Sequence, residues 1–329
     1  MLGFSVYFED DIDIEKEIKA NKNFDLVFTS LHYPLTDKAY DQFLKLYEIC
    51  CKYDIKVCVD INNKTLMKYP ALADMDIILR LDFGFSYNQI ARLSSKRNLA
   101  LNASTLNMNC LYNLKAAKTR MGNIIAIHNF YPLEYSGLSY EYFNKQNELI
   151  KSFGLKLGAF IPGNGKLRGP VYKGLPTLEN DRYKNPYLNF IKFKRFYELD
   201  LILLAEDVVD KDKEYICKFA KNETISLPAY INDDYKSIKS IKVRPDISEY
   251  LIRNEREKKS ILPQNPRFIK RGDLVILNNL SGRYSGEIEI IKKDLAVSMQ
   301  RNVIGRVDEQ YLDLIDYIQG GDIIEFDRR

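Results

Sequence analysis

Short apolar runs alternate with longer amphipathic stretches over roughly the first two-thirds of the chain. Eight runs rich in Val, Ile, Leu or Phe predict strands, at residues 3–8, 26–30, 56–61, 77–81, 99–103, 124–128, 155–160 and 201–205. Between them, helical periodicity covers residues 38–53, 87–97, 108–120, 140–153 and 187–199. Strands that are apolar on both faces and alternate with helices are typical of parallel sheets covered by helices. Eight such units predict an α/β fold, a (β/α)8 barrel of the TIM type.

An open doubly wound sheet is the alternative, but the number of strands and the lack of a GxGxxG turn after any of them disfavour it. The pattern changes after Asn222. Residues 227–267 contain four prolines and no strand–helix repeat, and short strands are predicted at residues 273–277, 287–292, 295–299, 303–307 and 322–326. We therefore expect a barrel domain at residues 1–222, and a linker with a small β-rich domain at residues 223–329.

The composition narrows the classes of partner. The 329 residues carry 49 basic and 45 acidic side chains, and a net charge of +4 does not indicate a nucleic-acid partner. The chain shows neither a signal-peptide pattern nor an apolar run of about 18 residues, so we expect a cytoplasmic protein that does not enter a membrane. The five cysteines have no CxxC spacing and are expected to be reduced thiols.

Polar residues follow the predicted strands at their carboxyl ends, which in a barrel of this kind face a shared mouth. They are Tyr7, Ser30, His32, Asp60, Asn62, Asp82, Asn102, Ser104, His128, Asn129, Glu206 and Asp207. A lone histidine is more often structural, but both histidines of the chain fall in this set, which favours substrate contact. Asp60 and Asp82 close apolar strands, so each must reach solvent, be paired or cap a helix. Glu206 and Asp207 are expected to cap the next helix.

The segment at residues 161–183 is rich in glycine and proline, which excludes a regular helix or strand. A long loop with apolar anchors such as Leu175 and Leu178 is typical of a functional site. Arg168, next to Gly169, suits a phosphate or carboxylate. Glu179 either takes part in catalysis or fixes the loop through an ion pair with Arg182. Several Asp and Glu residues among the candidates favour glycoside hydrolysis, which uses a pair of carboxyl groups. No GxSxG motif, strand-end cysteine or strand-end lysine supports a covalent mechanism through a serine, cysteine or lysine.

Several motifs occur in an order that resembles a known family. They are GFSVY at 3–7, FTSLHYP at 28–34, LRLDFGF at 79–85, LNAST at 101–105, HNFYP at 128–132, RGP at 168–170, GLPTLE at 174–179, NPY at 185–187 and RYSGEIEI at 283–290. Together they resemble the MupG-type 6-phospho-N-acetylmuramidases, glycoside hydrolase family 170. The resemblance implies a barrel followed by a cyclophilin-like β domain. It also implies hydrolysis of the β-1,4 bond of 6-phospho-N-acetylmuramyl-N-acetylglucosamine in cytoplasmic recycling of cell-wall sugars.

The chain departs from the family pattern at Asn62, where a DVSP-like segment is expected, and at Asn180 and Asp181, where a histidine is expected before the arginine. We predict Asp82 and Glu179 as the catalytic pair, with Asp60 in reserve. The predicted substrate-binding residues are Ser30, His32, Asn102, His128, Asn129, Arg168, Arg182 and Arg283. The expected partner is a phosphorylated disaccharide, no cofactor or metal is predicted, and a homodimer is left open. Two alternatives remain: a divalent-metal isomerase or hydrolase using Asp60, Asp82, His128 and Glu206, and a non-catalytic sugar-phosphate-binding protein.

Overall fold

In the computed structural model, which describes residues 1–8, 12–31, 36–255, 259–264 and 266–329, eight parallel strands close into a barrel. This confirms the predicted fold class. The strands are β1 (Leu2–Ser5), β2 (Leu26–Ser30), β3 (Lys56–Ile61), β4 (Ile78–Leu81), β5 (Leu99–Asn102), β6 (Ile124–Ile127), β7 (Lys156–Ile161) and β8 (Leu201–Leu204). Each strand pairs with its neighbour in sequence, and β8 pairs with β1 to complete the ring.

Helices follow the strands and begin at polar caps. They are α1 (Ile14–Ala20), α2 (Asp37–Lys52), α3 (Asn63–Lys68), α4 (Tyr87–Ser94), α5 (Met108–Ala116), α6 (Tyr140–Ser152) and α7 (Pro186–Phe196). Ser86 and Gln89 form a reciprocal capping box at the start of α4. Asn62 accepts a hydrogen bond of 2.9 Å from the Thr65 N–H and caps α3. The helices α1 and α3 were not predicted, because six or seven residues are too few to show a clear helical period.

Inward-facing side chains on alternate strand residues fill the barrel interior. Leu26 and Phe28 on β2, Cys58 on β3, and Leu201 and Leu203 on β8 belong to this buried core. Side chains two residues apart on a strand point the same way, so the residue two places beyond Cys58 also points inward, nearer the mouth. That residue is Asp60, where the apolar core gives way to polar side chains.

The chain divides into two units, Met1–Val209 and Asp210–Arg329. The second contains α8 (Asp210–Asn222) and a seven-stranded sheet. Its strands are β9 (Ile225–Ile231), β10 (Ser240–Lys242), β11 (Leu251–Arg253), β12 (Asp273–Leu277), β13 (Ile288–Ile291), β14 (Arg301–Val307) and β15 (Ile323–Arg328). Their order in the sheet is β10-β15-β9-β14-β12-β13-β11. The domain boundary was expected after residue 222, at the end of α8, whereas the observed division lies before α8 and groups this helix with the sheet. Within that unit, Tyr311 donates a 2.6 Å hydrogen bond to Asp212 of α8.

Two predictions for the second unit need correction. The strand expected at residues 295–299 is wrong: Leu295 makes an isolated bridge to Ile269, and the residues after it are irregular. Conversely, β9 lies where a linker was expected to begin, and it is a strand with sheet neighbours on both sides although it contains Pro228. Among the described residues, no helix has the length and apolar character needed to cross a membrane.

Candidate active site

A cavity of about 320 Å³ opens at the carboxyl ends of the barrel strands. Its lining residues come from six strands or the loops that follow them: Tyr7, Phe28, Ser30, Asp60, Arg80, Asn129, Phe130, Phe160, Arg168 and Gly169. A larger cavity, of about 820 Å³, lies at the opposite end among residues that begin the strands. Active sites of TIM barrels lie at the carboxyl ends, where the βα loops meet, so the smaller cavity is the candidate.

The floor of this cavity holds a buried ion pair. Asp60 on β3 lies opposite Arg80 on β4 in the strand register, and Arg80 Nη1 donates to Asp60 Oδ1 at 2.7 Å. The other terminal nitrogen, Nη2, donates to the side-chain oxygen of Asn129. The Arg80 and Asp60 side chains are only 4% and 11% exposed. A charge so deeply buried is stable only when paired. The register of β3 and β4 supplies the carboxylate beside the guanidinium, and the amide of Asn129 reaches the same guanidinium from the loop after β6.

Arg168 also lines the cavity. Its guanidinium carbon lies 3.3 Å from the centroid of the Tyr7 ring and 5.6 Å from that of Phe130. Burial raises the pKa of Tyr7 to about 12, against the opposing effect of the Arg168 charge, so the phenol stays protonated at neutral pH. Stacking occupies the face of a guanidinium and leaves its in-plane N–H groups suited to a phosphate or carboxylate. Arg168 is therefore a cation presented by aromatic rings to the cavity.

Glu206, which follows β8, holds the loop that carries Arg168. Its two carboxylate oxygens accept hydrogen bonds of 2.9 Å from the backbone N–H groups of Arg168 and Leu175. Burial raises its pKa, and these N–H donors act in the opposite direction. Gly163 must approach this region closely, because a Cβ there would lie 2.1 Å from the Asp207 carbonyl oxygen. Glu206 was expected to cap the next helix, and its contacts correct that prediction: it organises the cavity loop.

Glu179 and Arg182 form a second acid–arginine pair, in which Arg182 is buried and Glu179 is partly buried, and neither residue lines the cavity. Arg182 donates to both Glu179 oxygens, at 2.7 and 2.6 Å. The same oxygens accept the backbone N–H groups of Tyr135 and Gly137, at 2.9 and 2.7 Å. These bonds, with that from Arg182 foremost, lower the pKa of Glu179 to about 2.

The guanidinium of Arg182 extends the same network to the backbone. It donates to the carbonyl groups of Tyr131, Leu133 and Gly174, at 3.0, 3.0 and 2.9 Å. The pair thus joins the loop after β6 to the loop after β7. Glu179 and Arg182 are thus not among the residues that line the cavity, and they make the loop-fixing ion pair that the sequence analysis gave as the other reading. The catalytic role of Glu179 and the substrate-binding role of Arg182 stay predictions.

His128 lies beneath the cavity rather than in it. The side chain is fully buried, Nε2 is 2.9 Å from Asn147 Oδ1, and Nδ1 is 3.3 Å from Ser104 Oγ. Burial lowers its pKa to about 4, so the ring is neutral at physiological pH. Ser104 Oγ in turn accepts the backbone N–H of Asn129 at 3.0 Å. The ring supports Asn129, the partner of Arg80, through Ser104, and the substrate contact predicted for His128 stays a prediction.

The remaining predicted residues fall in different places. Ser30 lines the cavity, and Asn102 accepts the Ser104 N–H at 3.0 Å without being among the lining residues. Asp82 is half-buried just beyond β4, where its N–H donates to the Ile61 carbonyl at 2.9 Å. His32 lies outside the described residues. In the second unit, Arg283 donates to the Tyr284 hydroxyl at 2.8 Å.

The sequence prediction missed Arg80 because it considered only residues at strand ends. The signal was present: an arginine inside the apolar run ILRLD must find a buried partner, and its register position is that of Asp60. The metal-dependent alternative gains no support, since the described part of the chain holds no group of three or more His, Cys, Asp or Glu side chains able to bind a metal ion. Three of its four proposed ligands, Asp60, His128 and Glu206, are engaged by protein groups.

Comparison with known proteins covers nearly the whole chain. A family model described as "6-phospho-N-acetylmuramidase, N-terminal" matches residues 2–218, and one described as "6-phospho-N-acetylmuramidase, C-terminal" matches residues 224–327. No curated protein sequence matches the chain.

Two solved structures are similar over the full length. A conserved protein of unknown function from Enterococcus faecalis has a TM-score of 0.90 and 28% identity, covering 100% of this chain and 96% of its own. An uncharacterized B. cereus protein has a TM-score of 0.79 and 24% identity, covering 99% of each chain. The second likeness concerns the fold alone.

Proposed function

The chain belongs to the 6-phospho-N-acetylmuramidase family and is a glycosidase, and from this premise we propose that its substrate is 6-phospho-N-acetylmuramyl-β-1,4-N-acetylglucosamine. Water cleaves the glycosidic bond, and the products are 6-phospho-N-acetylmuramic acid and N-acetylglucosamine. We propose further that the reaction belongs to cytoplasmic recycling of cell-wall sugars, because muramic acid is a cell-wall sugar.

One observation carries the choice of substrate: the cavity combines two guanidinium groups, Arg80 and Arg168, with one carboxylate, Asp60. The proposed substrate carries two anionic groups on one sugar, the phosphate and the lactyl carboxylate. Arg168, stacked on Tyr7, is suited to bind the phosphate. The acidic residue that lines the cavity with it is Asp60, and Asp60 is already paired with Arg80.

We assign the chemistry to Asp60 and Asp82. Asp60, held next to the Arg80 cation, is suited to remain ionised and to stabilise positive charge as the glycosidic bond breaks. Asp82 extends the β3–β4 ladder by one residue and lies two places beyond Arg80, so it shares the inward direction of Arg80 one step nearer to solvent. Its carboxyl group is the proposed donor of a proton to the leaving oxygen.

Glu179 is less suited to either role in this geometry. A general acid must hold a proton at the working pH, whereas the pKa of Glu179 is lowered to about 2. A nucleophile needs an accessible oxygen, whereas both Glu179 oxygens accept two hydrogen bonds each. The catalytic role of Glu179 stays a prediction that the variants below test.

The direct test is incubation of the purified protein with the synthetic phosphorylated disaccharide, with both products quantified by mass spectrometry. We expect equimolar release of the two sugars. The Asp60→Asn protein serves as the control for contaminating activity. Saturable binding without release of either sugar would instead identify a sugar-phosphate-binding protein, the non-catalytic alternative.

A further inference from the structure

Tyr172 is an exposed aromatic residue in the loop that carries Arg168. Its side chain is 63% exposed, although a large ring at the surface costs contact with water. Its φ angle is +59°, in the left-handed region that non-glycine residues adopt uncommonly. The fold thus keeps a bulky residue both strained and exposed at this point, a combination that clusters at ligand sites.

The turn that presents Tyr172 is fixed at both ends. Glu206 accepts the N–H groups of Arg168 and Leu175, and the Tyr172 N–H donates to the Arg168 carbonyl at 3.2 Å. One buried carboxylate therefore holds the segment that bears both the cavity cation and the exposed ring. A binding surface on such an anchored segment loses little conformational entropy when a ligand arrives.

The Tyr172 ring lies at the edge of the cavity. Its hydroxyl oxygen and Cζ are 3.4 and 3.5 Å from the position that a Cβ on Gly169 would occupy, and Gly169 is a lining residue. An atom at that position would be in ordinary van der Waals contact with the ring, so the ring lies directly beside the Gly169 backbone. The ring therefore borders a residue of the cavity wall.

We infer that Tyr172 binds the neutral sugar of the substrate, the N-acetylglucosamine that leaves, by stacking against the apolar face of its pyranose ring. This inference rests on the proposed function. Arg168 and Arg80 lie inside the cavity and suit the anionic sugar, so the uncharged sugar extends toward the rim. There a flat exposed aromatic ring offers the C–H groups of a pyranose a complementary apolar surface. Tyr172 is thus a positioning residue that determines the leaving-group sugar.

The test compares two substrates that differ only in the leaving group: the phosphorylated disaccharide, and the β-glycosyl fluoride of 6-phospho-N-acetylmuramic acid, which lacks the second sugar. The variant is Tyr172→Asn, because asparagine tolerates left-handed φ angles and so keeps the turn while removing the ring. Tyr172→Phe keeps the ring and loses only the hydroxyl. Tyr183→Asn removes another exposed tyrosine, 71% exposed, whose hydroxyl bonds to Glu134 outside the cavity.

For Tyr172→Asn we expect kcat/KM on the disaccharide to fall about tenfold, the size of effect that loss of one aromatic contact produces, with turnover of the fluoride within about twofold of wild type. Tyr172→Phe should restore the disaccharide rate, and Tyr183→Asn should leave both rates unchanged. An equal loss on both substrates, or none on the disaccharide, overturns the inference. Failure of the proposed function gives a different result, in which the wild-type protein turns over neither substrate.

Discussion

Two acid–arginine pairs in the barrel unit look alike in composition and differ in surroundings. In the first, Asp60 and Arg80 come from the facing residues of β3 and β4 and line a cavity. In the second, Glu179 and Arg182 are three residues apart, and their other partners are backbone groups of two loops. A carboxylate held by backbone N–H groups fixes the chain, whereas one held by a strand arginine at a cavity is placed for a ligand. The partners, and not the residue types, separate the two roles.

The sharpest test of this comparison removes the charge of Asp60, which lines the cavity, and of Asp82, the proposed proton donor. Asp60→Asn and Asp82→Asn should each lower kcat by about 10²–10⁴-fold, because each substitution keeps the shape and removes the ionisable group. Asp60→Asn also leaves the buried Arg80 without its charged partner and should lower the melting temperature. Steady-state kinetics and thermal unfolding of the purified variants measure this. Asp76→Asn, an exposed acid at the other end of the barrel, is the matched control. An Asp60→Asn enzyme that keeps more than about a tenth of wild-type kcat would remove Asp60 from the mechanism.

The next largest effect concerns the cavity cation. Omitting the 6-phosphate from the substrate should lower kcat/KM by about tenfold to a hundredfold, since a hydrogen bond to a charged group contributes about 1.5–3 kcal/mol. Arg168→Met should cause a similar loss on the phosphorylated substrate and little on the dephosphorylated one, because the contact is then already absent. Lys173→Met removes one charge from an exposed position of the same loop and should change neither rate. Equal turnover of the two substrates by the wild-type enzyme would contradict phosphate recognition.

The sequence predicts the barrel and part of the cavity, but it does not show which partner each buried side chain has. Apolar runs and helical periods predict the barrel, and the carboxyl ends of its strands correctly indicate Ser30, Asp60 and Asn129 as cavity residues. Arg80 escapes a search of strand ends because it lies inside β4, and only the register shows its partner. The two roles of Glu179 could not be separated, because the N–H groups that bind it come from a loop distant in sequence. Likewise, the buried His128 ring bonds to Asn147 in α6, a partner that no local pattern indicates.

For the second pair, Glu179 and Arg182, we expect a smaller effect on catalysis and a measurable loss of stability. Glu179→Gln places an amide NH₂ where an oxygen accepts N–H donors, so about 1.5–3 kcal/mol of stabilisation should be lost. For a unit of this size that corresponds to a melting temperature lowered by roughly 3–12 °C. The turnover number should stay within about tenfold of wild type if the role is structural. Thermal unfolding and kinetics on one preparation separate the outcomes: an unchanged melting temperature with kcat reduced by orders of magnitude would restore Glu179 as a catalytic residue.

The smallest effect is the pH dependence of that stability difference. The pKa of Glu179 is lowered from 4.5 to about 2 in the folded state, so its ionised form is favoured by folding. Its contribution to the free energy of unfolding is fully present above about pH 4.5 and is lost as the pH falls toward 2. The difference in melting temperature between wild type and Glu179→Gln should therefore be constant from pH 6 to 8 and shrink between about pH 4.5 and 2. Glu206, whose pKa is raised, acts in the opposite sense but is present in both proteins and cancels in the difference. A difference that does not change over the acidic range would show that the Glu179 charge does not stabilise the contact between the two loops. The contrast with Asp60 would then rest on position alone.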